Sequence, residues 1–297
     1  MRLSTVHLPF RAFSSLLLVS CLAFPAKAAP LKPFKDELFS YDTVLETADG
    51  GYYRVVDYQE LRDINGRDQT PERRVKRAYL ALGVKRQQVN ETMETGARLL
   101  AVTRVGAAAG AAFTVIFIHG RGGDRRLGAN DYSFGGNFNR LKNLAVDNGG
   151  VYYAPSVQSF DEAGVADIAG LIAHARRQSP EKPVILACAS MGNFICWGIA
   201  RDQTAVEALA GLMIMGGPAD PSFQKSAARK AGLPIFFSHG SADTVYPAAD
   251  QIALYRALHA AGHPSRFVLF ETGSHGTPVR MTDWREALNW ILVHNKS

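Results

Sequence analysis

Three side chains able to share a proton and attack a carbonyl occur in the order Ser190, Asp243, His275. The serine closes an apolar run, Val-Ile-Leu-Ala-Cys-Ala-Ser-Met-Gly over 184–192, which passes into a helix-like stretch from Asn193 to Ala200. A serine hydroxyl is a weak nucleophile at neutral pH. It becomes reactive on a sharp strand-to-helix turn, beside a general base and beside backbone N–H donors. The pattern for such a turn is Gly-x-Ser-x-Gly; Gly192 keeps the second glycine, and Cys188 stands in place of the first. By itself the segment reads equally well as a buried strand whose last serine caps a helix.

The rest of the chain favours the reactive reading. An apolar run from Leu233 to Ser238 leads to Asp243, where a carboxylate can accept from an imidazole Nδ1–H and fix its tautomer. Asp220 is the rival acid, with helix capping near Pro221 as its ordinary role. The run Arg266 to Glu271 is followed by Thr-Gly-Ser-His-Gly, in which His275 is flanked by glycines that suit a loop aiming Nε2 at the serine. Among the other histidines, His119 and His239 precede the acid and read as hydrogen-bonding scaffold. Upstream, Phe113 to Ile118 runs into His119-Gly-Arg-Gly-Gly-Asp124. Glycines there let backbone amides approach a substrate oxygen, and the Arg121 and Met191 N–H groups are the expected oxyanion donors. His119, Gly120 and Gly122 are candidate substrate contacts. A phosphate-cradling loop is the competing reading, although the dinucleotide pattern G-x-G-x-x-G is missing. Arg121, Arg125 and Arg126 either recognise an acidic substrate group or are simply solvated.

These residues need strands to carry them. Short apolar runs are expected as strands at Phe113–Ile118, Val151–Pro155, Val184–Cys188, Leu209–Met215, Ile235–Ser238 and Arg266–Glu271. They alternate with amphipathic stretches at Asp161–Arg177, Met191–Asp202, Ala248–Ala261 and Thr282–Asn295, the pattern of repeated βα units on a parallel sheet. Earlier strands are expected at Tyr41–Glu46, Tyr52–Tyr58 and Arg98–Val105, in antiparallel arrangement, while Val75–Leu82 fits strand or helix. The connection 216–232 is too short for a cap domain, so any lid must come from Gly128–Asn139 or the N-terminal region.

The chain has 297 residues, 47% hydrophobic and 20% charged, an ordinary globular composition. Residues 1–28 read as an export signal: Arg2 and Arg11, an apolar Ala12–Phe24, then Ala26-Lys-Ala28, with a single domain following over 29–297. A lipobox-like Leu18-Val-Ser-Cys21 offers lipidation at Cys21 as the alternative. The apolar stretch is shorter than the ~20 residues of a stable membrane span. Loss of Arg2, Arg11 and Lys27 lowers the net charge from +6 to +3, and without basic clusters there is little support for nucleic-acid binding. Cys188 ends a strand and Cys196 sits along the next helix, which is expected to hold their Cα atoms beyond ~7 Å and leave two buried thiols. No metal-ligand spacing occurs, and no cofactor is called for.

With His119-Gly120, Ser190, Asp243 and His275 each following an expected strand in that order, the chain resembles the α/β-hydrolase superfamily over residues 40 to 295. Its missing cap and its His-Gly-Arg-Gly-Gly-Asp loop are similar to small carboxylesterases and to phospholipase/carboxylesterase-type thioesterases. The resemblance implies a mostly parallel central sheet with helices on both faces. It also implies a serine hydrolase acting on a small-molecule or lipid-like ester or thioester through an acyl-enzyme, which the N-terminal signal would make an exported one. The alternatives are a peptidase or amidase on the same triad and a non-catalytic binding protein on the same scaffold.

Overall fold

A computed structural model describes Met1 and residues 30–95 and 98–295. Apart from Met1, the expected export signal lies outside the described residues, as does Cys21.

Ten strands form one sheet: β1 (Val44–Ala48), β2 (Tyr53–Val56), β3 (Gln88–Glu94), β4 (Leu99–Val105), β5 (Thr114–Ile118), β6 (Val151–Pro155), β7 (Val184–Ala189), β8 (Leu209–Met215), β9 (Ile235–Gly240) and β10 (Ser265–Phe270). Their spatial order is β1-β2-β10-β9-β8-β7-β5-β6-β4-β3. From β2 to β6 every pairing is parallel, and antiparallel pairs lie at the two edges. The expected early strands are thus split. β1 and β2 form a hairpin at one edge, where β2 runs parallel to β10, and β4 lies near the other edge.

Strands β5, β7, β8 and β9 are buried at every residue, so their sequences are continuous apolar runs rather than alternating ones. Ile116 and Ile118 face one apolar layer, made with helices α3 (Glu162–Gln178), α4 (Gly192–Ile199) and α5 (Ala248–Ala260). Val115 and Phe117 face the opposite layer, made with α2 (Asn137–Asp147) and α6 (Trp284–His294). An eight-residue helix, α1 (Glu60–Arg67), precedes β3. The Val75–Leu82 segment is neither of the expected forms: Arg74–Val75 makes a two-residue ladder with Asp68–Gln69, and Arg77–Tyr79 is a 3-10 turn.

Between β8 and β9 there are two short turns of helix, Pro221–Lys225 and Ala227–Ala231, and no cap. The N-terminal region instead braces the end of the sheet. Arg67 Nη1 donates to the Arg280 carbonyl at 2.9 Å, Arg280 pairs with buried Asp68 at 2.9 Å, and the Val75 amide donates to Tyr132 O at 3.0 Å. Arg280 belongs to a short helix, Thr277–Met281, directly after His275, so this brace bears on the loop that carries the histidine.

Candidate active site

After β5 the chain moves to β6 on one side and then to β7 on the other, leaving a crevice at the strands' carboxyl ends. Ser190 stands there, one residue beyond β7, with φ 55°, a left-handed backbone conformation uncommon for a residue with a side chain. Its amide donates to Met215 O at 2.9 Å and its carbonyl accepts from Asn193 N at 3.0 Å, which fixes the turn into α4. Two glycines make room. A Cβ on Gly192 would lie 2.8 Å from the carbonyl oxygens of Ile118 and His119, and one on Gly120 would lie 2.7 Å from Ser190 Cβ.

Cys188 is bonded to Cys196, with Cα atoms 6.2 Å apart, which corrects the expectation of two free thiols. The expected separation failed because the elbow folds α4 back across β7, so a residue in the second turn of the helix returns above the strand's end. Both cysteines are fully buried, and the crosslink starts from the first-glycine position of the motif.

The three residues, which follow β7, β9 and β10, converge. His275 Nε2 is 2.9 Å from Ser190 Oγ, and His275 Nδ1 is 2.8 Å from Asp243 Oδ2. Asp243 is buried, and its Oδ1 accepts from the Val245 and Tyr246 amides at 2.8 and 3.1 Å. Burial opposes its ionisation, but the bonds from His239, His275, Val245 and Tyr246 outweigh burial and hold the carboxyl well below the usual range. Asp220, the rival, caps the Pro221–Lys225 turn through Ser222 N and pairs with Arg201. The sequence reading left His239 as scaffold without a partner; its Nε2 lies 3.3 Å from Asp243 Oδ2. Its position four residues before the acid, at the end of the same apolar strand, was the available signal.

Residues 147–285, which contain all three converging residues, match the Dienelactone hydrolase family. Among solved structures, a thermostable esterase superposes with a TM-score of 0.53 at 17% identity, covering 70% of this chain and 63% of its own, so this chain spans less than two thirds of that esterase. An α/β serine hydrolase without lid from Xanthomonas campestris gives a TM-score of 0.50 at 20% identity over 69% of this chain and 94% of that one. An esterase from Pyrococcus furiosus gives 0.50 at 15% identity over 71% and 93%. No curated protein matches the sequence. The chain has the α/β-hydrolase fold.

In this hydrolase fold the loop after β5 lies against the serine. His119 is buried, its Nδ1–H donates to Gly120 O at 2.8 Å, and its Nε2 accepts from Val157 N at 3.0 Å. Both nitrogens are therefore bonded to backbone, and burial lowers the ring's pKa, so in this structure His119 holds the loop. Gly120 touches Ser190, and Gly122, at φ 73°, turns the exposed tip. Neither the Arg121 nor the Met191 amide donates to another described residue. Arg126 is paired with Asp124, and Arg121 is exposed.

Beside the site lies a groove of about 590 Å³ between the 217–224 loop and α5. Pro218, Pro221, Tyr246, Ala253, Leu254 and Ala257 line it, with Asp250 at its edge. It adjoins the converging residues at two points. Gly217 packs against the Ser190 carbonyl, and the Tyr246 ring is 5.7 Å from the His275 ring. Among the described residues no cluster could hold a metal ion, and no helix is long and apolar enough to cross a membrane.

Proposed function

We propose that the protein is an exported carboxylic ester hydrolase in which Ser190 is the nucleophile, His275 the general base and Asp243 the residue that orients it. The observation that carries this reading is the continuous proton path from Ser190 Oγ through His275 to Asp243 Oδ2, at 2.9 and 2.8 Å, with the serine held on a strained turn. The fold's esterase and lidless serine hydrolase neighbours support it.

Ser190 Oγ attacks the ester carbonyl carbon and passes its proton to His275 Nε2. The imidazolium so formed keeps its Nδ1–H on Asp243. Negative charge on the former carbonyl oxygen is met by the Arg121 and Met191 amides, and loss of one such donor typically lowers the rate about 10²-fold to 10³-fold. Collapse expels the alcohol, which takes the proton from Nε2 and leaves Ser190 acylated. A water then gives a proton to Nε2 and attacks the acyl carbon; the acid departs and Ser190 regains its proton. The groove along α5 receives the apolar part of the substrate, since its walls are chiefly proline, alanine, leucine and tyrosine. The Cys188–Cys196 bond agrees with export to an oxidising compartment, and cleavage after Ala28 is the route the signal supports.

The test is hydrolysis of a short p-nitrophenyl ester and labelling by a fluorophosphonate, with Ser190→Ala expected to abolish both. Labelling retained in the variant overturns the assignment. A panel of thioester and peptide substrates then distinguishes ester cleavage from thioester and amide cleavage.

A further inference from the structure

We propose that His239 is a buried imidazolium that shares Asp243 with His275, a positioning residue that anchors the carboxylate against which His275 is oriented. The second half of this statement rests on the triad reading above; the first does not.

The inference comes from counting donors and acceptors around the ring. Nδ1 is 2.9 Å from Gln251 Oε1. The orientation of that amide is fixed, because Gln251 Nε2 donates to Gly217 O at 2.6 Å and a flipped amide would set oxygen against oxygen. Nε2 is 3.0 Å from Tyr246 O and 3.3 Å from Asp243 Oδ2. Both nitrogens thus face acceptors only. A neutral imidazole has one N–H, and its bare nitrogen would press a lone pair against an oxygen inside the core; the imidazolium satisfies both sides.

Charge balance agrees. His239 and Asp243 have fully buried side chains, and a carboxylate there needs a cation that water does not supply. Burial disfavours the charge on His239, yet the bonds to Asp243, Gln251 and Tyr246 prevail and raise its pKa. The groups that face it are Asp243 and the Tyr246 carbonyl from the loop, Gln251 from α5 and, through Asp243, His275. Arg121 acts on the Tyr246 side of the site.

The consequence for His275 is positional. Its Nδ1 and His239 Nε2 meet the same oxygen at 2.8 and 3.3 Å. A charged donor fixed on that oxygen holds the carboxylate where His275 needs it, and its loss lets the carboxylate and the imidazole shift from the serine.

Two measurements on the full-length protein decide this. In ¹H–¹⁵N spectra of the wild-type histidine rings, with His239 assigned by through-space contacts of its ring to Gln251 and Tyr246, both ring nitrogens are expected to carry protons at and above the pH where a free imidazole loses one. A neutral tautomer at that pH overturns the proposal, and this readout needs neither activity nor a variant. In hydrolysis of a p-nitrophenyl ester, His239→Gln is expected to lower kcat by about 10-fold or more with KM little changed. An unchanged kcat, or a change confined to KM, overturns the role assigned in catalysis, whatever the spectra show. If the wild-type protein hydrolyses no ester, the triad reading fails while the spectra still decide the charge.

Discussion

Replacing both Cys188 and Cys196 by alanine should lower stability substantially while the fold persists. The bond closes a short loop, since the cysteines are eight residues apart. For about nine residues in the closed loop, the chain-entropy estimate gives about 2.6 kcal/mol. Both sulfurs are fully buried, and trimming each to alanine leaves a small void at roughly 1 kcal/mol apiece. The total of about 4–5 kcal/mol corresponds to a fall in Tm on the order of 10 °C for a chain of this size. Thermal unfolding followed by circular dichroism measures the fall, and the mass of the unreduced peptide joining Cys188 to Cys196 checks the bond. Two free thiols in the denatured, unreduced wild-type chain would refute the premise. A double variant melting within about 2 °C of wild type would refute the energetic reasoning.

Gly120→Ala should lower stability by about 1–3 kcal/mol and reduce ester kcat/KM by about 10²-fold or more, because its Cβ would sit 2.7 Å from Ser190 Cβ and 3.0 Å from Oγ; wild-type kinetics in a folded variant would exclude the close approach. Ala253→Trp should fill the groove along α5, abolishing the gain of about 0.8 kcal/mol, roughly fourfold in kcat/KM, per added acyl methylene while sparing an acetyl ester; an unchanged chain-length profile would place the apolar group elsewhere. Stability against pH is also predictable in sign. Asp243, with its folded pKa depressed below an unfolded ~3.9, stabilises the fold above about pH 4, and this contribution is lost as pH falls through the folded value. His239, raised above an unfolded ~6.5, stabilises it below about pH 6.5, and this contribution is lost as pH rises through the folded value. Urea unfolding should therefore show the pair's largest contribution between about pH 4 and 6.5, and a difference between wild type and His239→Gln that does not shrink toward alkaline pH would contradict it.

The central strands were legible because both their faces are buried, which leaves unbroken apolar runs; β6 and β8 have the expected bounds, and the others shift by one or two residues. What escaped notice was concealed by polarity. β3, Gln-Val-Asn-Glu-Thr-Met-Glu, is an edge strand in which only Met93 is buried, so its sequence resembles a loop. In α2 the pattern is hidden because Asn137, Arg140 and Lys142 are buried. Arg140 is neutralised by Asp36 and Asp283 and Lys142 by Asp131, partners that sequence spacing does not disclose. In α1 only Ile64 and Arg67 are buried, and no side chain caps its start. The convergence at the candidate site was legible for a different reason: each of its residues lies at a strand end or in the loop that follows it, in a chain order that matches one known arrangement. His119 and His239 were recognisable as scaffold by that same order, but their partners depend on loops whose paths no periodicity encodes.

The departure at Cys188 bears on how the elbow is kept bent. A residue with a side chain at φ 55° costs on the order of 1–3 kcal/mol, so the turn at Ser190 persists only if its surroundings forbid relaxation. Relaxation would require the end of β7 to slide or the start of α4 to swing away. The first is opposed by pairing on both sides, Cys188 against Ile118 of β5 and Ala189 against Met215 of β8. The second is opposed by close backbone contacts at Gly192, and at Gly217, where a Cβ would lie 2.4 Å from Ser190 O. The crosslink joins the two movable parts across the strained residue, from two positions before Ser190 to six after it. A glycine at position 188 would give only room; a bonded cysteine there ties the strand to the helix that Ser190 separates, so the irregular position of the motif contributes to holding Ser190 in its left-handed turn, the conformation that the proposed function requires.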